Sequence, residues 1–127
     1  MSEVKEELRY TEEHEWTNNQ NDIVTIGITD HAQESLGEIV FIELPDVGTT
    51  LDRSSTFGVI ESTKSVSDLY SPIAGEVVEV NRSVENEPDI INKNPYDEGW
   101  IIKIKAKRIE DLDSLLTAEQ YKKLIDE

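Results

Sequence analysis

The sequence predicts a mainly β fold, a compact barrel or sandwich carrying short helices and a C-terminal helix. Three observations predict it. Apolar and polar residues alternate in short runs, single Gly or Pro residues separate those runs, and the 127-residue length suits one modest core. No linker or low-complexity segment divides the chain, so a single domain over residues 1–127 is expected.

Val24, Ile26 and Ile28 alternate with polar or small residues, as in a half-buried strand. Asp30 stands where a helix cap belongs, with Gln33 three residues on and Gly37 as the stop, so a short helix is expected between them. Val40, Ile42 and Leu44 repeat the strand pattern, and Val78 with Val80 repeats it again. Trp100, Ile102 and Ile104 fall on one side of a further strand, and Lys103, Lys105 and Lys107 on the other. Thr117 with Gln120 forms a capping box, and Leu116 with Tyr121 a hydrophobic staple. The helix they open lays Tyr121, Leu124 and Ile125 on the barrel. Trp16 and Trp100 are expected as core or rim aromatics. Leu36-Gly37-Glu38-Ile39-Val40 resembles Ala74-Gly75-Glu76-Val77-Val78, a pattern that fits either two related β units or a common way of starting strands.

Composition narrows the chemistry. Asp and Glu number 28 against 12 Lys and Arg, a formal net charge of -16, which repels phosphate and argues against nucleic acid and anionic membrane as partners. There is no Cys, hence no disulfide, thiolate metal site or cysteine nucleophile. All six glycines stand singly, His14 and His31 lie far apart, and neither HExxH nor Gly-x-Ser-x-Gly occurs. No catalytic residue and no metal site is therefore expected. Residues 1–10 lack a signal-peptide pattern, no Arg-rich presequence is present, and no stretch nears the roughly 20 apolar residues of a membrane helix. A cytoplasmic monomer is expected.

One place stands out. Phe57-Gly58-Val59-Ile60-Glu61 and Leu69-Tyr70 read as strands around a tight turn, Ser62-Thr63-Lys64-Ser65. Between Tyr10 and Ile102 only four residues are basic (Arg53, Lys64, Arg82 and Lys93) against 19 acidic ones. Lys64 is thus an isolated amine on an exposed hairpin tip, open to a modifying enzyme. By itself, such a lysine is also what an ordinary solubilising turn carries.

The surrounding pattern decides. Gly58-Val59-Ile60-Glu61-Ser62-Thr63-Lys64-Ser65-Val66-Ser67-Asp68, continued by Leu69, Ser71-Pro72-Ile73 and Gly75-Glu76-Val77, resembles the lipoyl-lysine hairpin of the glycine cleavage system H-protein family. Further blocks resemble that family in order: Tyr10 with His14-Glu15-Trp16, Thr25-Ile26-Gly27-Ile28-Thr29-Asp30-His31-Ala32, Leu36 to Phe41, Glu43-Leu44-Pro45, Asn94-Pro95-Tyr96 and Gly99-Trp100. The resemblance spans nearly the whole chain. It departs at Thr63 and Ser65, where relatives often carry Val and Ala, and at Glu13, where some have Ser; residues 18–21 read as a variable polar turn.

The resemblance implies a barrel-sandwich hybrid of the lipoyl/biotinyl-carrier type and a carrier, not an enzyme. Lipoate would be joined by an amide to Lys64. A pyridoxal-phosphate glycine decarboxylase (P-protein) would load an aminomethyl group on the arm. A folate-dependent aminomethyltransferase (T-protein) would remove it, and dihydrolipoyl dehydrogenase (L-protein) would reoxidise the dithiol. Lipoate-attaching enzymes complete the implied partners. The same resemblance places Glu15, Glu61 and Asp68 around the hairpin or cleft, and His31 either on the surface or facing the arm. Two rival carriers share the logic. A biotin carboxyl carrier usually has Met on both sides of its lysine, where this chain has Thr63 and Ser65. A lipoate relay that feeds other carriers would use the same lysine.

Overall fold

The computed structural model describes residues 2–125. Among them nine strands form two antiparallel sheets: β1 (Arg9–Tyr10), β2 (Glu15–Gln20), β3 (Ile23–Ile28), β4 (Ile39–Glu43), β5 (Thr50–Leu51), β6 (Thr56–Ser62), β7 (Val66–Tyr70), β8 (Gly75–Val80) and β9 (Ile102–Ala106). The larger sheet runs β1-β2-β3-β9-β8-β5 and the smaller β4-β6-β7. Val24 and Ile26 of β3, Ile102 and Ile104 of β9, and Val77 of β8 meet Ile42, Ile60 and Leu69 of the smaller sheet in one buried core. The mainly β expectation holds, with α1 (Asp30–Leu36), α2 (Arg82–Asn86), α3 (Ile90–Lys93), a 3-10 turn (Ile109–Ser114) and α4 (Ala118–Ile125) around the sheets. No helix among the described residues is long and apolar enough to cross a membrane.

Several sequence expectations shift by a residue or two, each for a physical reason. Val40 is 49% exposed rather than inward, because a bulge between Ile39 and Phe41 resets the alternation of β4. Val78 is exposed for the same reason: the register of β8 against β9 shifts between Val77 and Glu79. These two bulges occupy equivalent places in the repeated Gly-Glu segments, with Ile39 and Val77 both buried. The cap of α1 is Thr29, whose hydroxyl accepts from the Ala32 N–H, while Asp30 accepts from the Gln33 side-chain amide. Residues 18–20 continue β2, and the turn is confined to Asn21 and Asp22, both left-handed. Only two helices were expected from the sequence; α2 and α3 are the additions.

The C-terminal helix follows its expected chemistry. Thr117 Oγ1 accepts from the Gln120 N–H at 3.2 Å, and the Thr117 N–H donates to Gln120 Oε1 at 2.9 Å. Tyr121 is fully buried in a second small core with Leu8, Tyr10, Trp16 and Ala118, whereas Leu124 stays exposed rather than packing inward. Trp16 is buried opposite Gly27, so close that a Cβ at that glycine would sit 2.7 Å from the indole. Gly27→Ala is therefore expected to overpack the site and cost about 1–3 kcal/mol of stability, seen as a lowered denaturant midpoint. Trp100 is a half-buried rim aromatic, with the Lys103 ammonium 4.9 Å from its ring.

Candidate functional site

The hairpin is built by its own side chains. β6 and β7 pair with Glu61 opposite Val66, and the Ser62 N–H donates to the Ser65 carbonyl at 2.8 Å to close the turn. Ser62 Oγ accepts from the N–H groups of Lys64 (3.2 Å) and Ser65 (3.1 Å), so one buried hydroxyl fixes the tip from beneath. The Thr63 N–H donates to the Glu38 carbonyl at 3.0 Å and ties the tip to the segment between α1 and β4. Lys64 is exposed, and its stem lies over Gly37. Gly37 ends α1 at φ 84, and a Cβ there would meet Lys64 Cε at 3.3 Å. A glycine at this point serves both the left-handed helix end and the passage of the lysine stem.

Beside the tip opens a cleft of about 480 Å³ between α1, β7 and the turn leading into β2. That volume suits a small ligand or a cofactor arm. Ile28, Ala32, Leu36 and Ile60 give it apolar walls. Glu13, His14 and Glu15 supply the polar turn, and Asp68 contributes from β7. The lysine stem over Gly37 lies next in the chain to the lining residue Leu36, and Val66 of the same hairpin lines the cleft, so the lysine stands beside this cleft.

Glu15 is only 2% exposed. Thr11 Oγ1 donates to its Oε1 at 2.8 Å, and the Tyr70 N–H to its Oε2 at 3.0 Å. Desolvation pushes this carboxyl up to about 7, more than these two hydrogen bonds pull it down. The folded state therefore binds the proton more tightly than the unfolded chain. The resulting stabilisation is full below the unfolded value of 4.5 and is lost as pH rises through about 7. Unfolding of wild type and Glu15→Gln from pH 4 to 8 checks this. The stability difference between them should change over that window by on the order of 3 kcal/mol in the direction that disfavours wild type at high pH.

The structure brings Glu15 and Asp68 together on one cleft, with the hairpin that bears Lys64 beside it. It places Glu61 on β6 between Phe41 and Val66, outside the residues lining the cleft. His31, on α1, also lies outside the lining, with its ring 5.0 Å from that of His14. His14 is the residue that site reasoning from the sequence passed over. Its backbone is left-handed, at φ 69, a conformation no local pattern announced. Among the described residues, no group of three or more His, Asp or Glu side chains is arranged to hold a metal.

A hairpin that holds one lysine outward, beside a cleft with a carboxylate against its polar turn, has the form of a carrier domain for a covalent arm. Comparison with known proteins specifies which kind. Residues 8–127 match the family described as glycine cleavage H-protein. The glycine cleavage system H protein of Chromohalobacter salexigens is 54% identical over 126 residues, covering 98% of this chain and 96% of that one. The glycine cleavage system H protein of Geobacillus kaustophilus is 51% identical over 121 residues, 95% of each chain. The crystal structure of a glycine cleavage system H protein from Mycobacterium marinum superposes with a TM-score of 0.87 at 37% identity, covering 94% of this chain and 97% of that one. The chain belongs to the glycine cleavage H-protein family.

Proposed function

We propose that this chain carries lipoate on Lys64 and moves the aminomethyl group of glycine from the decarboxylase to the aminomethyltransferase, then presents the reduced arm to dihydrolipoyl dehydrogenase. The observation that carries the assignment is the exposed lysine on the hairpin tip, its stem over Gly37, beside the cleft that Glu15 borders. The residues present fit the group. The hairpin tip offers one exposed amine, the walls at Ile28, Ala32 and Leu36 suit an acyl chain, and the carboxylates of Glu15 and Asp68 suit a cationic cargo. When bound, lipoate supplies the paired sulfurs that accept cargo and change redox state. The chain supplies everything else. Ser62 and the Thr63–Glu38 contact hold the attachment point still, which keeps the arm's effective concentration high at each partner.

The partners are the three enzymes of the system and the enzyme that attaches the arm. With a formal charge of -16, the surface is suited to basic patches on those enzymes. Acylation of Lys64 removes one further positive charge. Stopped-flow association with glycine decarboxylase should slow steeply between low and physiological salt. A rate that stays flat over that range shows that steering contributes nothing. Lipoylation by a lipoate-attaching enzyme of wild type and Lys64→Arg tests the attachment point itself, because a guanidinium is not acylated at neutral pH.

A further inference from the structure

Tyr121 does more than pack. Its ring is stacked on Tyr10 at 4.5 Å and 7° between planes, and both rings are fully buried, so its hydroxyl has a fixed position. That hydroxyl lies 2.9 Å from His14 Nδ1 and 2.7 Å from Thr29 Oγ1. Thr29 caps α1, whose residues Ala32 and Leu36 form one wall of the cleft, and the Thr29 N–H donates to the His14 carbonyl at 3.0 Å. One hydroxyl on the C-terminal helix thus joins the polar turn of the cleft to the start of its helical wall.

The hydrogens of this cluster can be assigned by counting. Thr29 is fully buried, and its oxygen accepts the Ala32 N–H at 3.1 Å. Among the described residues, the only other hydrogen-bond partner of that hydroxyl is Tyr121. If Thr29 donates to Tyr121 and Tyr121 donates to His14 Nδ1, every hydrogen has an acceptor. If His14 Nδ1 carries the proton instead, three hydrogens share two contacts, and either the Tyr121 or the Thr29 hydrogen is buried with no acceptor. An orphaned buried donor is costly, so the first arrangement wins. His14 Nδ1 is then an acceptor, and the proton of the neutral ring sits on Nε2. Among the described residues Nε2 makes no hydrogen bond, and no buried side-chain polar atom lacks a partner. Nε2 is therefore accessible to solvent, on a residue that lines the cleft.

We infer that the Thr29–Tyr121 relay holds His14 as its neutral Nε2–H tautomer, and that this N–H donates to a sulfur of the reduced arm, with Tyr121 as the positioning residue. The inference rests on the proposal that Lys64 bears the arm. From Gly37, under the lysine stem, to Thr29 is roughly 12 Å along α1 at 1.5 Å per residue, a span for an acyl chain extended from Nζ. A thiol that loses its proton to solvent beside this N–H leaves a thiolate with a hydrogen-bond donor, which favours ionisation. The charged and titratable groups around His14 are His31 on α1, Glu13 on its own turn, Glu15 at the start of β2, Asp68 across the cleft on β7 and Tyr121 on α4. Burial, and secondarily the nearby His31, lower the His14 value below that of free histidine, against a smaller opposing effect of Glu13.

Two measurements on the full chain test this. Nitrogen-15 NMR of labelled histidines should show His14 of wild type as the Nε2–H tautomer with Nδ1 accepting a hydrogen bond. In Tyr121→Phe, which keeps the ring stack, the His14 titration midpoint should rise. A proton on Nδ1 of wild type, or an unchanged midpoint in the variant, overturns the relay. The second measurement uses protein whose lipoyl group on Lys64 has been verified by mass, reduced with a phosphine and alkylated with iodoacetamide at pH 7.5. His14→Phe should slow alkylation about threefold: losing one hydrogen bond to a charged acceptor lowers the thiolate fraction about tenfold, partly offset by the higher nucleophilicity of the less stabilised thiolate. Tyr121→Phe should slow it by a smaller factor. If Tyr121→Phe does not fold, the wild-type tautomer and His14→Phe decide. Failure to find lipoate on Lys64 sinks the underlying reading. Lipoate present with alkylation unchanged in His14→Phe sinks the inference alone.

Discussion

Lys64→Arg is expected to reduce glycine decarboxylation by the reconstituted system to the rate measured with no carrier added. The substitution keeps a cation at the hairpin tip but removes the acylable amine. Lys64 is exposed, and the turn is held by Ser62, Ser65 and Glu38 rather than by the lysine side chain. Stability should therefore stay within about 0.5 kcal/mol of wild type, as for other exposed substitutions. Loss of activity with an unchanged denaturant midpoint separates lost attachment from lost folding. Substantial activity in Lys64→Arg would mean that another amine bears the arm.

The second large effect concerns the loaded arm. An aminomethyl group on sulfur is labile in water, and its amine is cationic near neutral pH. Glu15 and Asp68 border the cleft beside the lysine, but their environments differ. Glu15 is buried and hydrogen-bonded, whereas Asp68 is exposed. A charge-assisted contact out of water is worth about 1.5–3 kcal/mol, an exposed ion pair about 0–1 kcal/mol. After loading, ammonia release without the aminomethyltransferase should therefore accelerate about tenfold or more in Glu15→Gln and about fivefold at most in Asp68→Asn. Release unchanged in both variants means that these residues do not shelter the cargo. Because burial raises the Glu15 carboxyl to about 7, protection should also weaken as pH falls below that value and the carboxylate is neutralised.

Much of the fold was legible in the sequence where local pattern and tertiary structure agree. The alternation at Val24, Ile26 and Ile28, the lysines facing away from Ile102 and Ile104, and the Thr117–Gln120 capping box each encode their element within a few residues. The failures come from contacts no local window contains. The bulges at Ile39/Phe41 and Val77/Glu79 reverse the phase of two strands, so Val40 and Val78 point outward despite their apolar character. Thr29 and Asp30 are both good caps, and Thr29 wins through its contact with Tyr121, 92 residues away. The helices α2 and α3, of five and four residues, are too short to show a period.

The site divides in the same way. Lys64 stood out through the scarcity of basic residues around it and through its resemblance to a known hairpin. Glu15 and Asp68 were named by the same resemblance, and they meet at one cleft. The cleft itself was invisible, because its walls come from the turn before β2, from α1 and from the β6–β7 hairpin. His14 was read only as part of a signature, because its role depends on a tyrosine at the other end of the chain.

If Lys64 is the attachment point, one lysine bears one arm. Intact mass followed by peptide mapping of the protein from its native, lipoate-replete cell tests it most directly. A single lipoyl group is expected on the peptide containing Lys64, with the other seven lysines unmodified. A bare Lys64, or a lipoyl group on any other lysine, would contradict it.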